Sequence, residues 1–569
     1  MNIFIHRFII LIIFPLLMLG CNKEAVKSKE ANEKLIIEVS GIVDEYPAKI
    51  ALKASSNKSS NHSHTDNKII TKELNGVTLQ LSAGEIHTNG VRKVLKQQNQ
   101  PKIAAAKSHL ASTTTTSSRM IAMDANVSYR LILYAKNGDS FQFEQAVDLK
   151  SGRKTEIDIV KGVQYQWYAY SYNMEDDLSP LNDMSNPNIE SSFDKELLYD
   201  AGTFSLRDIG SHHLHIKFKQ QLSRIGLKVN SKGIFGTITA IKVHHLSEIP
   251  LSASIFNLKE GVFTNVARER KVNVGDTLTL KSLLGDKEIL QAYYYSSTPL
   301  SLPKNFEVNL TNLAVEYDDK STEVLIGENG KNTASQRLSF GDYQAAIGKS
   351  SVGNINLIHG GVNVGGIVWA KGNLYYDNGN YKFRLSGLFN YFQNTNENTA
   401  NLIKSYSNTD YWYWMSERPD DSRPDWSQGK VDPCSKVYPA NTWRMPDNAT
   451  FEVLTNRSSN GKTDLLSHMP NGYNSMYVEF YNRGESSTDP KTEKLYFKAD
   501  GRWETNNNRL RYEDYVLFWS STQRTDVRSS SAYIANYLRV HNSNAVLMTM
   551  HDNLLTRRYN IRCVRNTNN

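Results

Sequence analysis

The sequence predicts a mostly β protein, two β-sandwich domains followed by an α+β domain, and three observations carry that expectation. The 569-residue chain holds 30 Tyr and 20 Phe, and Thr, Val and Ile recur in short alternating runs, the residue types that fit a pleated, half-buried surface. Between Tyr129 and Tyr172, strand patterns are separated by turn signals at close spacing, which is the rhythm of antiparallel strands rather than of alternating strands and helices. One helix signal stands out late in the chain, at residues 446–454. There Asp447 can cap the free amides of a first turn, and Phe451 and Leu454 lie one helical turn apart. A chain of this length exceeds what one hydrophobic core organises, so three domains are expected.

The elements follow in order. His6 and Arg7 precede an apolar run over residues 8–19, which ends in Met18-Leu19-Gly20-Cys21 and turns polar at Asn22-Lys23-Glu24. The run is shorter than the roughly 20 apolar residues of a membrane-spanning helix. A small residue followed by cysteine is the pattern cleaved and lipidated in bacterial lipoproteins. Residues 1–21 are therefore expected to be a lipoprotein signal peptide, with Cys21 the lipidated, palmitate-bearing first residue of the mature chain. Several acyl chains on one residue anchor firmly where one does not. The alternative is an ordinary signal peptide or signal anchor with an incidental cysteine. No second apolar stretch of spanning length follows, so the remainder is expected outside the cytoplasm.

Lys/Glu-rich residues 22–34 suit a tether. The first domain is read as 35–207: strand patterns at Leu35-Ile36-Ile37-Glu38-Val39 and Val77-Thr78-Leu79-Gln80-Leu81, then at 129–134, 141–147 and 165–172. A Ser/Asn/His-rich loop over 55–66 and a Ser/Thr run over 112–118, ending at Arg119, interrupt it. The second domain, 208–350, opens with His213-Leu214-His215-Ile216-Lys217-Phe218 and continues with Ile225-Gly226-Leu227-Lys228-Val229. The third, 353–569, is denser in Trp, Asn and Tyr and holds Cys434 and Cys563. With Cys21 lipidated, these two of the three cysteines remain as an even pair in a compartment that permits disulfides. A bridge is expected, against the alternative of two buried thiols. The net charge of +8 comes from 66 basic and 58 acidic residues spread along the chain, with no basic block interleaved with aromatics, so nucleic acid is not an expected partner.

The stretch from Leu35 to Ile347 resembles the fimbrillin-like family, the β-sandwich subunits of fimbriae made from lipoprotein precursors. The likeness rests on Tyr129 to Tyr134 followed by a Gly turn, on the aromatic strand Tyr165 to Tyr172, and on His215-Ile216-Lys217-Phe218 leading to Leu222-Ser223-Arg224-Ile225. The C-terminal section resembles the Fibrobacter succinogenes major paralogous domain, a relative of the C-type-lectin-like fold. Four motifs carry this in order. They are Val364-Gly365-Gly366-Ile367-Val368-Trp369-Ala370-Lys371-Gly372-Asn373-Leu374, then Asp432-Pro433-Cys434 followed by Trp443-Arg444-Met445-Pro446, then Phe518-Trp519-Ser520-Ser521-Thr522, and last Ile561-Arg562-Cys563-Val564-Arg565. The family's usual capping Thr and later Glu are here Asp447 and Thr450, and an insertion separates Cys434 from Trp443. The resemblance implies a compact lectin-like module closed by a Cys434–Cys563 bridge.

Candidate sites compete with plainer readings. Calcium-dependent sugar binding needs several oxygens converging on one cation. Asp420, Asp421 and Asp425 form an acidic loop, yet neighbouring arginines can neutralise them, and the motifs Glu-Pro-Asn, Gln-Pro-Asp and Trp-Asn-Asp are absent. Aromatic loops bind sugar or protein without metal. In Tyr411-Trp412-Tyr413-Trp414, strand alternation would send at least one pair into the core, as expected also for Trp369, Trp443 and Trp519. The ligand surface is therefore placed at Trp414, Arg418 and Trp426. His212, His213 and His215 suggest zinc, but no third ligand is identifiable and a half-exposed strand explains them. Residues 346–350 lack the upstream glycine and strand-to-helix context of a phosphate loop. No Gly-x-Ser-x-Gly elbow or Cys/His nucleophile arrangement occurs, so neither catalysis nor a cofactor is expected.

The resemblance implies an outer-membrane lipoprotein at the cell surface or in a fimbrium, acting as an accessory or tip adhesin. Its partners would be other fimbrial subunits, joined by donor-strand exchange after a cut at Arg92 or Arg119, and a glycan or host protein. The alternative is a lipid-anchored surface binding protein that never polymerises. An enzyme on the lectin-like scaffold, related to sulfatase-modifying proteins, would need reactive cysteines and ranks third.

Overall fold

The computed structural model describes residues 32–44, 70–83, 119–205, 212–283, 286–302, 305–341, 343–389, 408–419, 429–455, 463–468, 477–504, 509–511, 516–524, 534–541, 544–549 and 557–566. Cys21, Arg92, Trp426, the three aspartates of the acidic loop, tether residues 22–31, and the 55–66 and 112–118 stretches lie outside them, while 32–34, expected to be tether, belong to a strand.

Alternation builds the first sandwich. In the strand Asn32–Asp44, Leu35 and Ile37 point inward and are buried, while Lys34 faces solvent. The first half of this strand pairs antiparallel with Thr155–Val160 and its end with Arg119–Ile121. Its other edge runs parallel to His212–Gln220. Gly41 permits the change of neighbour. Its φ is 143°, and a Cβ there would stand 2.4 Å from the carbonyl oxygen of Ile121. The sheet continues from His212–Gln220 through Leu198–Ser205, Gln164–Ser171 and Ser128–Asn137 to Ser140–Lys150. Leu35, Ile37, Leu131, Leu133, Trp167, Ile216 and Phe218 meet in its core.

The second sandwich sets one sheet, ordered Lys281–Leu283, Asp286–Ser296, Ser223–Gly233, Ser350–His359, Val77–Ala83, Ile70–Leu74, against another containing Gly236–His245, Glu307–Tyr317 and Thr322–Ile326. Val77, Leu79 and Leu81 fill its core beside Leu227, Leu313, Ile355 and Leu357. The two sandwiches are joined, because the outer face of the first is not left wet. Ile132, Tyr134, Tyr168 and Tyr170 pack with Leu222, Phe256, Leu258 and Tyr295.

Strand pairing places the divisions differently from the sequence reading. His212–Gln220, expected to open the second domain at 208, belongs to the first sheet. Ser350–His359, which straddles the expected 350/353 division, is a central strand of the second sheet. The hairpin Ile70–Leu74 and Val77–Ala83, expected within 35–207, also joins the second sheet. Alternation reports which face of a strand is buried but not which neighbour buries it.

Beyond Gly361 the chain forms small sheets around two aromatic cores. Among the described residues the one α-helix is Asn448–Glu452. Its cap is the expected one, with the Asp447 carboxylate accepting from the Thr450 amide at 2.8 Å, and Phe451 and Leu454 are fully buried.

Candidate functional site

The arrangement that bears on function is the placement of the first and last described strands. The N-terminal segment gives one strand to the first sandwich and a two-stranded hairpin to the second. Asn32–Asp44 sits inside the first sheet, with neighbours on both edges. Val77–Ala83 pairs with Ser350–His359 over seven register positions, from His359 opposite Val77 to Gly353 opposite Ala83. The inward side chains of both strands are buried. At about 25 cal/mol per Å² of apolar area, each such strand is held chiefly by its alternate hydrophobic side chains, with the backbone ladder fixing register.

The C-terminal end is held differently. Val564–Arg565 lies between Ile367–Trp369 and Trp443–Arg444, an interior place in its four-stranded sheet. Next to it Cys563 is disulfide-bonded to Cys434, both sulfurs fully buried, and this link joins points 129 residues apart. Arg562, also fully buried, donates to the carbonyl oxygens of Ala370 (3.2 Å) and Lys371 (2.9 Å) and to the Asn373 amide oxygen (2.7 Å). Its guanidinium lies over Phe497 at 4.7 Å. The last strand is thus tied by a covalent bond, a sheet and an arginine anchor at once.

A buried ionic group braces the same module. Arg384 holds the fully buried Asp410 through two bonds of 2.8 and 2.7 Å, and the Thr409 hydroxyl donates to the same carboxylate. Asp500 stands 3.8 Å from the Lys498 ammonium. Burial pushes its carboxyl up to about 7, opposed by Lys498, while the nearby Asp410 adds to the rise. Burial also lowers Lys498. In the second sandwich, burial lowers His245 to about 4; its Nε2 lies 3.0 Å from the Tyr294 hydroxyl.

The structure corrects one predicted ligand residue. Trp414 is fully buried, its indole donating to the Ser520 carbonyl at 2.8 Å. The 411–414 stretch is not a strand that alternates between two faces. It meets Tyr559 through a single bridge at Trp412 and threads between core layers, so all four aromatics are inside. Trp412 donates to Leu374 and Tyr411 to Asp500, through bonds to backbone carbonyls that let polar-edged rings be buried. Arg418 does lie exposed, next to Glu417, which pairs with Lys436 at 3.5 Å. Trp369, Trp443 and Trp519 are core residues, as expected. His213 and His215 lie stacked on the exposed face of their strand, centroids 5.9 Å apart. Among the described residues, no group of three or more His, Cys, Asp or Glu side chains is placed to hold a metal ion. Residues 346–350 form a turn between two strands rather than entering a helix. A shallow, hydroxyl-rich concavity of about 320 Å³ that sequence reasoning missed is lined by Ser487, Thr488, Asp489, Thr492, Lys494 and Tyr496. The run Ser486-Ser487-Thr488-Asp489-Pro490 was its only signal, and that reads equally as an ordinary turn.

No protein-family model and no curated protein matches the chain. Solved structures do. A proposed cell adhesion protein from Bacteroides ovatus shares 12% identity over 42% of this chain and 86% of its own, with a TM-score of 0.24. A second, from Bacteroides fragilis, shares 13% over 49% and 92%, with a TM-score of 0.23. The fimbrial anchor protein Mfa2 from Porphyromonas gingivalis shares 13% over 38% and 80%, with a TM-score of 0.18. TM-scores of this size do not establish a common overall fold.

Proposed function

We propose that this chain, exported as a lipid-anchored precursor, is a surface adhesin or accessory subunit of a fimbria, assembled by strand addition, with its lectin-like C-terminal module presenting the binding surface. The observation that supports this reading is that one short N-terminal segment supplies a buried strand to each sandwich. A cut at Arg92 or at Arg119 would leave both Asn32–Asp44 and Val77–Ala83 on the departing fragment. Two sheets would then expose backbone donors and acceptors above open hydrophobic slots. An incoming strand pairs with such an edge through its backbone and is selected by its alternate side chains.

The same chain is a poor donor. A subunit in the middle of a filament must give up a terminal strand, and the last described strand, Val564–Arg565, is interior in its sheet and adjoins the disulfide at Cys563. Accepting without donating fits the end of a fibre. Binding rather than catalysis is its work, with a glycan or a host protein as the ligand. The test is to shear filaments from cells and look for the chain in them. Recovery of the chain in filaments, in sub-stoichiometric amount, is expected. Its retention in the membrane fraction, with none in filaments, would overturn the reading in favour of a surface binding protein that never polymerises.

A further inference from the structure

The turn of the Ile70–Ala83 hairpin lies where the second sandwich meets the C-terminal module. The backbone amide of Gly360, the first residue past the sandwich's central strand, donates to the Gly76 carbonyl at 3.3 Å. The approach leaves no room for a side chain, since a Cβ on Gly360 would lie 2.8 Å from the carbonyl carbon of Gly76. On one side Asn75 and Asn332 exchange two hydrogen bonds of 3.0 and 3.1 Å. On the other, Glu73 accepts from the Thr78 hydroxyl at 2.6 Å and from Arg565 at 3.2 Å.

Arg565 is on the last strand of the module. Its guanidinium stacks over Trp443 at 5.3 Å and donates to the carbonyl oxygens of His359 and Gly360. Trp443 in turn meets Phe383 and His359 edge-on, at 4.9 and 6.1 Å. One arginine thus touches the hairpin, the sandwich's central strand and the aromatic centre of the module.

We propose that the Ile70–Ala83 hairpin is a latch: seated in the second sheet, it holds the adjoining strands of the C-terminal module in place, and its withdrawal loosens them. Other contacts persist when it leaves, notably Lys382 to Asp318 at 2.6 Å and Phe235 within the module's core. The response is therefore a loosening of Trp443–Arg444 and Val564–Arg565 rather than release of the module. This goes beyond the adhesin reading and stands on the contacts alone. Joined to that reading, it makes strand exchange at the acceptor slot a signal to the binding module.

The experiment is amide hydrogen exchange on the full-length, unassembled chain carrying Leu79→Ala or Arg565→Gln. Leu79 is buried in the sandwich and sits on the hairpin's second strand, its own side chain making none of the contacts to Arg565. Leu79→Ala should speed exchange in residues 77–83 at least about tenfold, and several-fold in 443–444 and 557–566 as well. Coupling between two sites is reciprocal, so Arg565→Gln should speed exchange in 77–83 by about two- to fivefold, a modest effect because Glu73 is largely exposed. Strand Ser128–Asn137 of the first sandwich should be unchanged in both. A hairpin mobilised by Leu79→Ala beside an unchanged module, or a hairpin indifferent to Arg565→Gln, overturns the latch. If Leu79→Ala does not fold, the smaller excision Leu79→Val gives the same readout. Filaments play no part in this measurement, so its failure and that of the adhesin reading are separable.

Discussion

Replacing Cys434 and Cys563 together by alanine should destabilise the C-terminal module far more than it disturbs either sandwich. The bridge closes a loop of 129 residues. In the chain-entropy model, a cross-link over that length removes about 5 kcal/mol of disorder from the unfolded chain at 25 °C. Both sulfurs are buried among Trp412, Trp414, Trp443 and Trp519, so the substitution also thins packing rather than relieving it. For a domain of roughly 200 residues, 1 kcal/mol moves the melting midpoint by about 2–4 °C, which puts the expected drop at roughly 10–20 °C. Tryptophan fluorescence reads the module selectively, because Trp167 is the one tryptophan before it. A double variant whose fluorescence midpoint stays within about 2 °C of the parent would refute the reasoning, since the bridge could then be locking nothing.

Three further outcomes are expected. Trp414→Ala should cost about 3–5 kcal/mol in urea titration, as removal of a buried indole does, whereas Arg418→Ala at an exposed site should cost no more than about 1 kcal/mol. Arg384→Ala strands the buried Asp410 carboxylate and should cost about 3–5 kcal/mol by the same assay. Asp500 supplies a pH signature. Burial holds its folded-state carboxyl up at about 7, above the ordinary carboxylate range, so the folded state keeps the proton longer. Its contribution to stability is present at low pH and lost as pH rises from about 4 to about 7. That slope, read from urea midpoints across the window, should be absent in Asp500→Asn, and an identical slope in both proteins would refute the assignment.

How far the sequence could be read depends on whether the signal was local. Period-two alternation located Val77–Leu81, because burial of one strand face is written in the strand itself, and short apolar runs located Leu35–Val39 and Tyr129–Tyr134, the latter buried on both faces. Asp447 announced its helix for the same reason, the cap acting three residues away. Pairing partners are set at a distance. Nothing near Val77 says that its neighbour is Ser350–His359, some 270 residues on, nor that Asn32–Asp44 lies parallel to His212–Gln220. The domain divisions went astray there. Trp414 was misplaced by a similar limit. An aromatic run looks alike in a core and on a surface, and what decided it were carbonyl partners at Leu374, Asp500 and Ser520, which only the fold brings close. The place of Arg565 between hairpin, sandwich and module had no sequence signal at all.

On the proposed reading, Asn32–Asp44 and Val77–Ala83 are occupants that other strands replace. Mass spectrometry of the first residue of the chain in assembled filaments tests it most directly. The expected start is just after Arg92 or Arg119, with neither Asn32–Asp44 nor Val77–Ala83 remaining. An acylated Cys21 at the head of filament-borne chains, both strands still attached, would contradict it.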